Sequence, residues 1–191
     1  MQSRIPRQPA DDQGLRKADD DAGLGAELAA VVAGARRRAV RDGDRQIDTA
    51  HLLHSLLESD PGVCAVIGDA PQIARLLGYL VQRSIGYGLR WQSTVEDSGA
   101  MAVVSDPKSA EAKDVGGWSP LAATAMEHAR GRAWRRGVGR AVGTDLLAAI
   151  VADPEARAVE VLARAGVRPA DLLARIDNHT GEYAGDGGAA C

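Results

Sequence analysis

A chain of 191 residues with 45% hydrophobic residues can bury the core of one large domain or two small ones, and its net charge of −3 gives no argument for a nucleic-acid partner. Aromatics make up 3% and Phe is absent, so the core must be built from Ala, Leu and Val, which favours close helix packing over a β-sandwich. The cations are almost all Arg, with lysine only at Lys17, Lys108 and Lys113; together with the heavy Ala and Gly usage this suggests a GC-rich, bacterial genome.

Residues 1–22 are polar, and the run Asp19, Asp20, Asp21 offers nothing apolar to anchor it, so a disordered lead is expected. There is no apolar h-region and no stretch of membrane-spanning length. Cys64 lies in an apolar run as a buried thiol and Cys191 ends a Gly-rich stretch, so a reducing, cytoplasmic compartment is expected. The first predicted helix runs from about Leu24 to Asp42, with its stripe at Leu24, Leu28, Val31, Val32, Ala35 and Ala39, and stops at Gly43. In the second, either Asp48 or Thr49 caps a face of Leu52, Leu53, Leu56 and Leu57, which Pro61 and Gly62 close. Shorter helices follow over about 62–67 and 71–83, the last with Pro71 at a first helical position. Residues 84–117 carry β-prone stretches on both sides of "EDSG", which fit a hairpin or a flexible loop.

The second half restates this order. Ser119 caps and Pro120 opens a helix with the stripe Trp118, Ala122, Ala125, Met126, Ala129 and Ala133, ending at Gly137. Leu146, Leu147, Ile150 and Val151 mark the next helix, "PEARAVEVLARAG" a third ending at Gly166, and "RPADLLARI" a fourth with Leu172, Leu173 and Ile176. From Gly43 and Gly137 outward, ten apolar positions and two glycines keep a constant separation of 94 residues. The chain therefore reads as an all-α tandem repeat of two four-helix units packed into one compact bundle of about eight helices. Repeat 1 spans 23–83, the linker 84–117, repeat 2 118–178, and a flexible tail 179–191. The internal symmetry satisfies the buried faces without a second copy, so a monomer is expected.

The pattern resembles the Clp N-terminal repeat domain at the front of ClpC- and ClpA-type AAA+ unfoldases. The residues that carry the resemblance are "WSP" at 118–120, "VGTDLL" at 142–147, "ADP" at 152–154 and "IDTAHLL" at 47–53, within a match over about residues 24–178. No lysine follows a glycine, so the chain has no G-x-x-x-x-G-K-[ST] loop; the expectation is a stand-alone, non-catalytic version without ATPase modules or cofactor. The resemblance implies a protein- or peptide-binding role around the Clp unfoldase–protease, as adaptor, regulator or substrate-recognition protein, with Clp ATPase/protease components, adaptors or substrates as partners.

Members of that family also bind phosphorylated arginine through a first-helix hydroxyl cap and an acid in the second helix. Carried over, this makes Ser119, Thr144 and Asp145 the candidates in repeat 2. The competing reading is that they simply cap helices. In repeat 1 the cap position is Gly25, and the acid position is Ala50 if the threonines are aligned or His51 if the leucines are; either alignment removes the site. Trp118 and Glu127 resemble residues that bind cyclic-peptide antibiotics, which opens an alternative in which the chain sequesters such a compound; against it, Trp118 begins the core stripe where repeat 1 has Leu24. His51 and His54 lack a clear completing ligand for a metal. The Arg residues at 36–38, and Arg130, Arg132, Arg135, Arg136 and Arg140, fit solvated faces or docking faces for acidic partners better than contacts to DNA.

Overall fold

The computed structural model describes residues 23–44, 46–84, 96 and 117–185. They form eight helices: α1 (Ala26–Asp42), α2 (Thr49–Ser59), α3 (Pro61–Ile67), α4 (Ala70–Ser84), α5 (Pro120–Arg135), α6 (Gly143–Val151), α7 (Arg157–Arg164) and α8 (Pro169–Gly185). Each half contributes four, in the same order. The N-terminal lead and the predicted linker hairpin lie outside the described residues, apart from Glu96.

Helix α1 buries Leu28, Val31, Val32, Ala35 and Ala39, and α5 buries Ala122, Ala125, Met126, Ala129 and Ala133 at the matching positions. That spacing puts one apolar stripe on each helix, and the small residues let the neighbouring helix come close. Beside Gly34 the approach is so tight that a Cβ there would lie 2.9 Å from Ser55 Oγ. The neighbours, α2 and α6, are buried on every side from Thr49 to Leu57 and from Gly143 to Val151. They form the centre of the bundle, with the other helices laid around them. Gly43, Gly137 and Gly166 follow α1, α5 and α7 with φ of 75°, 72° and 82°, a left-handed geometry that glycine adopts without steric cost.

Two backbone clips interlock the halves. Gly25 N–H donates to the Ala141 carbonyl (2.9 Å) and Ala141 N–H to that of Gly23 (3.0 Å). Ser119 N–H donates to the Ile47 carbonyl (2.9 Å) and Ile47 N–H to that of Gly117 (2.6 Å). The second clip is the first with the two repeats exchanged, so the halves are related by an approximate two-fold axis. Trp118, 6% exposed, and Leu24, 5% exposed, occupy equivalent places in these clips and both belong to the core.

Several boundaries differ from the sequence reading. Helix α7 starts at Arg157, because Pro154 and Glu155 form a turn before it. Helix α4 begins at Ala70, one residue ahead of Pro71. Helix α8 continues to Gly185, through residues 179–185 that read as tail; no proline or glycine cap interrupts the chain immediately after Ile176. No helix among the described residues is long and apolar enough to cross a membrane.

Candidate functional site

The densest polar cluster lies where the two repeats meet, around the starts of α2 and α7. Asp48 caps α2: its Oδ1 accepts the His51 N–H at 2.9 Å, while His51 Nδ1 accepts the Asp48 N–H at 3.1 Å. This reciprocal capping box settles the choice between Asp48 and Thr49 in favour of Asp48. It frees Thr49, the first residue of the helix, to turn its donors elsewhere.

Those donors meet Glu96, a linker residue buried to 4% exposure. Glu96 Oε2 accepts the Thr49 N–H at 2.9 Å and the Ser119 hydroxyl at 2.8 Å. Its Oε1 accepts the Arg157 N–H at 2.7 Å and the Thr49 hydroxyl. Each hydroxyl oxygen already accepts a helix amide: Ser119 Oγ from Ala122 N–H (3.1 Å), and Thr49 Oγ1 from Ala158 N–H (3.1 Å). Both hydroxyl protons are thereby turned toward the carboxylate. The cradle presents four donors, two to each oxygen, at the positive ends of α2 and α7.

Asp48 stands beside this cradle and ties the repeats by charge. Its Oδ2 takes Arg157 Nη1 at 2.7 Å and also Arg83 Nη2, from the end of α4. Burial alone would raise the Asp48 pKa; its hydrogen bonding with His51 and the charge of Arg83 outweigh it and hold the carboxyl well below the usual range. Asp44 Oδ2 lies 3.1 Å from His51 Nε2, so Asp44, Asp48 and His51 bring ligand-type atoms within 4.8 Å of one another. Asp44 and Asp48 are thus the acids near His51 that linear spacing did not reveal. Two guanidinium groups already sit on Asp48, and a cation would have to displace them.

The candidates read from sequence are dispersed. Ser119 caps α5 and supports Glu96. Asp145 sits at the third position of α6, where it accepts the Val142 N–H at 3.1 Å and pairs with Arg136 at 2.5 Å. Its Oδ1 has no hydrogen-bond partner among the described residues, with Arg132 Nε 3.8 Å away. Burial raises the Asp145 pKa, only partly opposed by the Val142 N–H and the two arginines. Thr144 is buried at the start of α6. Trp118 is in the core, whereas Glu127 is exposed on α5. His51 and Asp145 both reach back to the amide of the residue that caps their helix, so alignment by the leucines is the one the structure follows.

Glu96 and Arg157 were not singled out by sequence reasoning, and Thr49 only as a possible cap of α2. A signal for them exists in the comparison of the repeats. Asp60 caps α3 by accepting the Val63 N–H at 3.0 Å, but α7 starts after Ala156, which has no side chain to cap it. The missing cap is supplied by Glu96, 61 residues away in sequence. Beside the cradle opens a cavity of about 310 Å³, lined by Thr49, Leu121, Ala125, His128, Ile150 and Ala156 among others.

Comparison of the chain with family models and with curated proteins gives no match.

Proposed function

We propose that this chain is a protein- or peptide-binding module working with a Clp-type unfoldase–protease, as adaptor, regulator or recognition element. The single observation behind a docking role is Trp134, on the last turn of α5 and 82% exposed. A bare tryptophan on a rigid helix, followed along the chain by the exposed Arg135, Val138 and Arg140, has the composition of an interface anchor for an acidic partner. The interlocked double repeat supports the resemblance that names the Clp machinery. Sequestration of a cyclic peptide would need Trp118 and Glu127 on one open surface, and the burial of Trp118 favours the protein-binding reading.

The test is binding of the purified chain to the Clp unfoldase from the same genome, by biolayer interferometry, with wild type and Trp134→Ala. Saturable binding weakened at least tenfold by the substitution, about 1.4 kcal/mol, supports the reading. Absence of binding to every Clp component, or ATP or peptide turnover by the chain alone, overturns it.

A further inference from the structure

We propose that the 310 Å³ cavity between α5 and the turn joining α6 to α7 is a recognition site for basic peptide segments, taking an apolar side chain onto its floor and a neighbouring arginine or lysine onto Asp153 and Glu155. The inference rests on the peptide-binding half of the reading above and not on its Clp half.

Three observations carry the inference. The first is the place of the cavity in the repeat. Leu57 and Val151 are 94 residues apart, whereas the helix caps Asp60 and Ala156 are 96 apart. Repeat 2 thus gains two residues between α6 and α7, and residues 152–156 form one wall of the cavity. In repeat 1, α2 runs directly into Asp60, the cap of α3, and the corresponding place is closely packed. There Ser55, the counterpart of Ala149 in the cavity wall, lies against Gly34, the counterpart of His128, so tightly that a Cβ on Gly34 would be 2.9 Å from its Oγ. The internal symmetry of the fold therefore does not require the opening. The second observation is charge. Among the described residues that line the cavity there is no arginine or lysine, and two are acids. Glu155 is exposed and Asp153 half-buried, and Asp153 Oδ1 accepts the Glu155 N–H at 2.9 Å, which holds the two on one turn. Neither carboxylate is ion-paired among the described residues. An arriving cation offsets both charges at a water-facing rim, where the pair keeps part of its hydration, and an acidic ligand is repelled. The third is the floor, made of the buried side chains Leu121, Ala125 and Ile150. A cavity of this volume holds one aliphatic side chain, and the methylene stem of a neighbouring arginine or lysine can lie along its apolar wall with the charged head at the rim. The cavity lies along the first half of α5 and Trp134 on its last turn, so this basic segment and the acidic partner proposed above meet the chain at different places.

The test is an NMR titration of the full, isotope-labelled chain with the peptide acetyl-Gly-Leu-Arg-Gly-amide. Saturable shifts are expected at the amides of Ala125, Ile150 and Ala156, with that of Trp134 unmoved. Changing the peptide's arginine to glutamine, or the chain by Asp153→Asn together with Glu155→Gln, should each weaken binding about fivefold. The asparagine keeps an acceptor for the amide of residue 155. Changing the peptide's leucine to glycine should weaken binding roughly tenfold. Thr124→Trp, on the exposed rim, should close the cavity and abolish the shifts without moving Tm by more than about 2 °C. No saturable shifts, equal binding of a peptide with glutamate in place of arginine, or binding indifferent to the acid substitutions or to Thr124→Trp would each overturn the proposal. So would movement of the same amides on dilution of the chain alone, which would give the cavity to a second copy. Peptide binding without binding to any Clp component would leave the cavity and sink the Clp half of the functional reading; binding to the unfoldase without these shifts would sink the cavity alone.

Discussion

Replacing Gly143 with alanine tests the inter-repeat packing with one methyl group. Gly143 opens α6, and alanine in a helix ordinarily gains up to about 1 kcal/mol over glycine. Here the sign should reverse. A Cβ at this position would lie 1.8 Å from Asp60 Oδ2, 2.8 Å from its Cγ and 3.0 Å from Leu56 Cδ2. The Asp60 carboxylate must move, and it is the cap of α3 through Val63 N–H. Loss of a cap costs about 1 kcal/mol, and overpacking of a close contact adds about 1–3 kcal/mol. After the propensity gain is subtracted, the net destabilisation is on the order of 1–3 kcal/mol, or roughly 3–10 °C in Tm for a domain of this size. Gly78, in α4, is the control: a methyl group there would meet nothing within 4 Å, and Gly78→Ala should hold or raise Tm. In a double-mutant cycle by urea denaturation, Asp60→Ala should abolish most of the Gly143→Ala penalty, with a coupling above about 1 kcal/mol. A Gly143→Ala protein as stable as wild type, or additive effects with Asp60→Ala, would refute the account of this joint.

His54 should create a weakness in mild acid. Burial, then the charge of Arg38, lower its pKa to about 4 against the opposing pull of Glu58 and Asp42. The folded state therefore binds its proton more weakly than the unfolded chain. The stability tied to neutral His54 is complete above about 6.5 and is lost as pH falls from there through about 4, by roughly 2–3 kcal/mol. An NMR titration should place its midpoint near 4, and His54→Gln should flatten that limb of the stability curve. Asp48 and Asp145 should diverge. The lowered pKa of Asp48 makes its contribution complete above the ordinary value of 3.8 and lost as pH falls below it. Asp48→Asn should therefore cost about 3 kcal/mol at pH 7, with the difference from wild type shrinking toward pH 2. Asp145 has a raised pKa, so its ionised form is disfavoured in the fold; wild type should gain on Asp145→Asn as pH falls through the folded value, which denaturation at pH 7 and pH 4 would show.

The helical stripes and the repeat were legible in the sequence because both are local and periodic. Leu28, Val31, Val32, Ala35 and Ala39 announce a buried helix face on their own, and the same spacing at Ala122 through Ala133 announces its copy. The candidate site was only partly legible. Ser119 could be recognised as a cap from its place before Pro120, but nothing in linear spacing said that its hydroxyl would hold a carboxylate from the linker.

The sequence by itself thus determined the eight helical segments, their order and the repeat that relates the halves, since helix formation and stripe burial depend on residues three and four apart. Only the tertiary structure decided that Glu96 completes α7 in place of Ala156, that Arg157 reaches Asp48, and that Asp145 is occupied by Arg136. Those contacts are set by the angle at which the two halves interlock, and a polar partner 61 or 109 residues away leaves no periodic trace in the chain.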